Sequence, residues 1–222
     1  MSTDIIIELL LTRRASELVD RVVAACKVPR DIAAVIDQSL APAMWHLGTM
    51  WRRGELQVFQ VHLCTETIIR SIHLMEHHFR SPPNACLKAV GGTLNQAGDT
   101  IASKLVALTL NSIGVDAHDL GPRVPADEIA AAANALDTCL VWCSSTHWDN
   151  QSDVIDQHLL LRRLLPRETP ILIGGGGLSL SAQQALDSCH FFETLQDMVN
   201  FVQTLAFNET SAAKAPMGMN VG

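Results

Sequence analysis

No run of lysines and arginines longer than a pair occurs in this 222-residue chain, and its formal net charge is −7. A nucleic-acid face that works by neutralising phosphates is therefore excluded, and any effect on DNA is expected to pass through a protein partner. No apolar run reaches the roughly 20 residues that span a bilayer. The apolar run near the N-terminus, in MSTDIIIELLLTRRASE, is interrupted by Asp4 and Glu8, follows no basic segment and precedes no cleavage site. It reads as helix rather than signal peptide, so a cytoplasmic protein without a membrane partner is expected. The six cysteines include no C-x-x-C pair. Only Cys139 and Cys143 lie close together, and the strand between them suits neither a redox pair nor a zinc knuckle. Buried free thiols in a reducing compartment are expected. Neither G-x-G-x-x-G nor G-x-x-x-x-G-K-[ST] follows the first strand, which removes the main support for a dinucleotide or P-loop site.

What is present divides at Ser81-Pro82-Pro83-Asn84, where consecutive prolines force extended backbone. Residues 1–81 contain no strand-like stretch and read as a helical bundle. Helices are expected from Asp4 to Cys26, from Arg30 to about Trp51 with Pro42 kinking or dividing the run, and from Leu56 to Phe79. Residues 82–86 form a linker. Over 87–207 strand and helix patterns alternate, with strands near 87–92, 115–119, 138–143, 170–174 and 189–192. Helices are expected over about 98–112, 125–135, 151–164, 179–187 and 194–206. This is α/β: a flavodoxin-like, doubly wound sheet of five parallel strands behind an N-terminal bundle. Residues 208–222 have the composition of a flexible tail.

Right-handed crossovers place every strand-to-helix loop on one edge of such a sheet, where ligands bind. Those loops are Asn95-Gln96-Ala97-Gly98, Gly121-Pro122-Arg123, Ser144-Ser145-Thr146-His147 and Gly174-Gly175-Gly176-Gly177. They are small, polar and glycine-rich. The glycine run reads either as a tight turn or as backbone kept bare for a large flat ligand. Trp142 and Trp148 flank the serine loop and give it a bulky wall.

Bundle, proline linker and five-strand sheet in this order resemble the cobalamin-binding domain family, closest to light-responsive regulators of the CarH and AerR/PpaA kinds. The resemblance covers roughly residues 10–206. It rests on Leu40-Ala41-Pro42-Ala43-Met44-Trp45-His46-Leu47-Gly48 with Trp51-Arg52-Arg53-Gly54-Glu55, on Asp119-Leu120-Gly121 with Val124-Pro125, and on Ile173-Gly174-Gly175. Photoreceptor members of the CarH kind carry Trp, nine residues, then Glu-His over the upper corrin face. Here Trp51, nine residues, Val61 and His62 stand in those places, so the resemblance implies His62 as an upper axial ligand and favours a regulator.

The family's lower-ligand signature, D-x-H-x-x-G, falls on Ala97-Gly98-Asp99-Thr100-Ile101-Ala102. Asp99 stands where the histidine should be, and a carboxylate oxygen is a poor axial donor to cobalt. Ala97 removes the acid that would orient such a histidine. Histidine-ligated, base-off cobalamin is thus not supported. The lower side is left to the cofactor's own base or water, to His118 or His147, or to a different tetrapyrrole, haem or a bilin. His62, Glu66, Ile69, His73 and His77 share one helical stripe; a zinc site from His73 and His77 is possible by spacing, without a further identifiable ligand.

The resemblance implies a pocket formed by Trp51, Val61, His62, Gln96, Gly98, Asp99, Thr100, Leu120, Gly121, Ser144, Ser145, Gly174 and Gly175. It implies a non-enzymatic sensory or regulatory protein that binds a cobalamin-type tetrapyrrole, adenosylcobalamin foremost. Light would cleave the cobalt–carbon bond, and His62 would approach the vacated upper position. Changed packing of bundle on sheet would signal to a regulatory protein partner. A homodimer is a family-level expectation, and direct DNA binding is disfavoured. The rivals are a corrinoid carrier for methyl transfer and a degenerate interaction module without cofactor.

Overall fold

The computed structural model describes residues 1–94, 100–146 and 151–212. The bundle comprises α1 (Thr3–Leu11), α2 (Ala15–Ala25), a 3-10 turn (Pro29–Asp31), α3 (Ile32–Val35), a π-helical turn (Ile36–Leu40), α4 (Ala41–Arg52) and α5 (Val58–Met75). The single helix expected over Asp4 to Cys26 is two. After α1 the Arg13 amide donates to the Leu10 carbonyl and the Arg14 amide to the Leu9 carbonyl, with Arg13 at φ 59°. This is a Schellman stop in which arginine, not glycine, takes the left-handed position, so the usual sequence mark is missing. The run divides next to Pro42, as expected, with the π-helical turn ending at Leu40 and α4 beginning at Ala41. Pro42 sits in the first turn of α4, where its missing N–H is tolerated, directly after the π-helical turn.

The second half alternates β1 (Lys88–Gly92), α6 (Ile101–Ser112), β2 (Asp116–Asp119), α7 (Ala126–Leu136), β3 (Leu140–Ser144), α8 (Gln151–Leu164), β4 (Ile171–Gly174), α9 (Leu180–Ala185), β5 (His190–Phe192) and α10 (Leu195–Ala212). The strands pair in parallel in the order β2-β1-β3-β4-β5. That is the expected doubly wound sheet, with its switch point between β1 and β3. One boundary differs: α10 continues to Ala212, past Asn208 where the tail was expected to begin. Among the described residues no helix is long and apolar enough to cross a membrane.

Three apolar clusters hold these layers. The bundle core, with Ile6, Leu10, Leu18, Ile36, Ile68 and Ile72, also takes Ile101, Leu105 and Leu108 from α6. One sheet face packs Val90, Val141 and Ile171 against α7, α8 and α9. The other packs Ala89, Trp142 and Leu172 against Val106, Ala107 and Leu110 of α6 and Met198 and Val202 of α10. Helix α6 therefore belongs to two cores at once. The cysteines are less uniformly buried than expected: Cys64 and Cys143 are buried, Cys26, Cys139 and Cys189 are half-buried, and Cys86 is exposed. Burial pushes the Cys143 thiol far above its usual range and Cys189 up to about 11.

His158 on α8 is fully buried, with Nδ1 2.8 Å from the Val154 carbonyl and Nε2 without a partner among the described residues. Burial holds its pKa below the ordinary value, against the weaker opposing effect of the Val154 carbonyl. The unfolded chain therefore binds a proton that the folded chain refuses. Stability should be level above pH ~6.5 and fall below it at up to about 1.4 kcal/mol per pH unit. A His158→Leu variant should lose that part of the slope in urea titrations between pH 7 and 5; an unchanged slope would assign it to other groups.

Candidate functional site

At the carboxyl edge of the sheet, under the bundle, lies a cavity of about 190 Å³. Its floor is Trp142 and Ser144 of β3 with Leu172 and Gly174 of β4 and Gly175 just after it. Its roof is Asp37 of the π-helical turn with Ala41 and Met44 of α4, and Leu195 and Met198 of α10 close one side. The wall is apolar apart from a few groups, of which Asp37 and Glu193 carry charge. Burial raises the Asp37 pKa against the lowering effect of hydrogen bonds from the Gln196 and Leu195 amides.

Backbone contacts at this edge leave no space for a side chain at position 175. The Ser145 amide donates to the Gly174 carbonyl at 2.8 Å, and the Gly177 amide donates to the Ser145 carbonyl at 2.8 Å. Gly175 has φ +97°, and a Cβ there would stand 2.5 Å from the Ser145 carbonyl oxygen. Just after β3, Ser145 Oγ and Thr146 Oγ1 are buried and have no hydrogen-bond partner among the described residues. Buried hydroxyls in that state call for a partner, which water or a bound group can supply.

Beneath the floor runs a polar chain. Trp142 Nε1 donates to Ser103 Oγ at 3.0 Å, and Ser103 Oγ donates to Asp119 Oδ1 at 2.6 Å. Asp119 also accepts from the Gly121 amide at 3.2 Å and lies 3.4 Å from Lys104 Nζ. It ties β3, α6 and the β2 loop together. With Asp119 only 8% and Lys104 25% exposed, Asp119→Ala strands three donors and should cost about 2 kcal/mol, reduced from the fully buried case by the access of Lys104 to water. Asp119→Asn, which keeps an acceptor, should recover about half. Equal urea midpoints for the two variants would contradict this account.

The structure brings together some of the sequence-derived site residues. Ser144, Gly174 and Gly175 line the cavity, and Ser145 lies directly behind. Trp51, 48% exposed at the end of α4, sits two turns beyond the roof residue Met44 on the same helix face. Val61 is packed on the bundle core, while His62 is exposed on α5; neither lines the cavity. Thr100 is the residue before α6 and makes no side-chain cap. Leu120 and Gly121 follow β2, and Leu120 borders a separate shallow depression with Arg123 and Pro125. His118 lies 3.3 Å from Asp116, in a groove between the end of α5 and β2 rather than in the cavity. Gln96, Gly98, Asp99 and His147 lie outside the described residues. His73 and His77 are exposed, and His77 Nδ1 accepts from Arg80 at 2.8 Å. Among the described residues no group of three His, Cys, Asp or Glu side chains could hold a metal ion.

Sequence reasoning missed Asp37, Ala41 and Met44 as cavity residues. A lone acid between Ile36 and Leu40 in an apolar helix was the available signal for Asp37. The cavity is enclosed only by tertiary packing, which leaves no local mark.

A helical bundle roofing the ligand edge of a doubly wound sheet defines a two-layer binding module. Residues 5–76 match the family model described as B12 binding domain. The chain is 29% identical over 167 residues to the HTH-type transcriptional repressor CarH of Myxococcus xanthus, covering 73% of this chain and 52% of the repressor. It is 26% identical over 166 residues to dimethylamine corrinoid protein 2 of Methanosarcina acetivorans, covering 70% and 75%. The fold is that of the Methanosarcina barkeri monomethylamine corrinoid protein, with TM-score 0.72, 16% identity, and 90% and 96% of the two chains covered. Over residues 5–76 the chain matches the B12 binding domain family, and the relatives it resembles over about 70% of its length include both a repressor and corrinoid proteins. It spans about half the length of the repressor that it matches.

Proposed function

We propose that this protein is a non-enzymatic, cobalamin-binding sensory or regulatory protein that acts through a protein partner rather than by contacting DNA. The observation that carries the regulatory part is the spacing of Trp51 and His62 on the bundle, together with Asp99 at the position of the lower histidine. The residues at the sheet edge fit such a cofactor. The bare backbone at Gly175, the buried Ser145 and Thr146 hydroxyls and the apolar cavity beneath the bundle support a ligand site at this edge, where the enclosed space of about 190 Å³ takes a projecting arm of the cofactor rather than the whole macrocycle. Adenosylcobalamin, when bound, supplies a photolabile cobalt–carbon bond. Ser144, Ser145, Gly174 and Gly175 would support the macrocycle from the sheet side; Trp51 would cover it from α4, and His62 on α5 is the imidazole at the motif spacing from that cover.

The relatives support a second reading equally: a corrinoid carrier for methyl transfer, since the corrinoid proteins match over a larger share of their own length. Haem or a bilin in the same pocket would keep the sensory reading with another chromophore. Absorption spectra of the protein reconstituted with adenosylcobalamin, haem and biliverdin, recorded dark and illuminated, separate these. Retained adenosylcobalamin with a light-dependent spectrum that changes in His62→Ala is the expected result. Retention without a photoresponse would favour the carrier, and no retained chromophore would overturn the proposal.

A further inference from the structure

The bundle meets the sheet domain along two seams of different chemistry. On the α6 side the contact is apolar, with Ile101, Leu105 and Leu108 buried in the bundle core. On the α10 side it is carried by Asp37. Oδ1 accepts from the Leu195 amide at 3.1 Å and Oδ2 from the Gln196 amide at 2.9 Å, across 158 and 159 residues of chain. The next amide, Asp197, is capped locally by Thr194 Oγ1 at 3.0 Å, while Thr194 Oγ1 donates to the Asp197 carboxylate at 2.6 Å. The opening turn of α10 is thus completed jointly, with its first two amides served by a carboxylate from the other half of the molecule. The π-helical turn Ile36–Leu40 places that carboxylate there, because its extra residue per turn shifts the register of the roof helix just before α4.

Asp37, Leu195 and Met198 all line the cavity, as do Ala41 and Met44. The latch is therefore also one side of the cavity's closure. We infer that Asp37 is a releasable clasp: the cavity opens by parting of the Asp37–α10 seam, while the apolar α6 seam stays closed as the hinge. Two hydrogen bonds and the fringe of apolar contact around Leu195 hold the clasp, against three large buried side chains on the hinge side. Geometry of this kind makes one edge the weaker, and water entering the parted seam can replace both bonds to the carboxylate. The inference holds whatever ligand the cavity takes, so its failure leaves the cofactor assignment untouched.

Amide hydrogen exchange on the full chain without ligand tests it, paired with thiol labelling of a Met44→Cys variant. In Asp37→Ala the Leu195 and Gln196 amides should exchange roughly 10- to 100-fold faster, the equivalent of losing charge-assisted hydrogen bonds. The thiol introduced by Met44→Cys should be labelled faster by a similar factor. Amides of Ile72 in α5 and Val141 in β3 should keep their rates. Unchanged exchange at Leu195 and Gln196 would overturn the clasp, as would equal acceleration at Ile72 and Val141, which is global loosening. If Asp37→Ala does not fold, Asp37→Asn decides. It keeps the size but loses the charge, so a selective acceleration at α10 and at the introduced thiol supports the clasp and its absence refutes it.

Discussion

Gly91→Ala should lower the melting temperature by about 10 °C, the equivalent of about 3 kcal/mol for a chain of this length. The reason is a close approach in the middle of the sheet. A Cβ on Gly91 would stand 2.3 Å from Trp142 Cδ2, 2.5 Å from its Cγ and 2.3 Å from its carbonyl oxygen. Trp142 is 1% exposed, and its indole crosses β1 to reach Ser103 on α6. It cannot move aside without giving up both that hydrogen bond and its place among Leu110, Leu172 and Met198. Trp142→Ala alone should cost about 4 kcal/mol through the cavity it leaves. The double variant should be less destabilised than the sum of the singles, because the ring contacts are gone. It should not return to the Trp142→Ala value, because the carbonyl contact remains. Additive losses in calorimetry would contradict the close-approach account.

The second large effect belongs to the site itself. Gly175→Ala should cost about 2–3 kcal/mol and abolish cofactor retention. Two separate penalties act there: φ +97°, which an L side chain rarely adopts, and a Cβ position 2.5 Å from the Ser145 carbonyl oxygen and 2.8 Å from its carbonyl carbon. Relief requires Ser145 to withdraw, which breaks its bonds with the Gly174 carbonyl and the Gly177 amide. The loop that carries the buried Ser145 and Thr146 hydroxyls would be displaced with it. Gly176→Ala is the matched control, since nothing lies within 4 Å of a Cβ built there. A Gly175→Ala protein that binds adenosylcobalamin as tightly as Gly176→Ala would show that this edge does not shape the pocket.

The sheet was legible because β1, β3 and β4 are short apolar runs bounded by glycine, proline or polar residues, and the crossovers between strands have helical period. The five strands fall within two residues of their expected places, and the strand order follows from right-handed crossovers. Ser144, Gly174 and Gly175 were legible for the same reason, since the ends of inner strands β3 and β4 must meet at the ligand edge. What stayed hidden was set by partners distant in sequence. The pairing of Gly91 with Trp142, the bond between Asp37 and α10, and the cavity roof at Ala41 and Met44 depend on how halves of the chain dock. The break after α1 was hidden because Arg13 occupies a position where glycine is the usual mark. His118 illustrates the converse. Its sequence position near the ligand edge is right, but on edge strand β2 its side chain meets Asp116 instead of the cavity.

Helix α6 has one face in the bundle core and the other against the sheet, so the prolines at 82 and 83 mark a boundary in composition and not in cooperativity. A bundle cut free at the linker would expose the groove that Ile101, Leu105 and Leu108 fill, and a freed sheet domain would offer those same side chains to water. Each half thus completes the apolar core of the other. A cut at the linker is therefore expected to leave both halves short of a complete core.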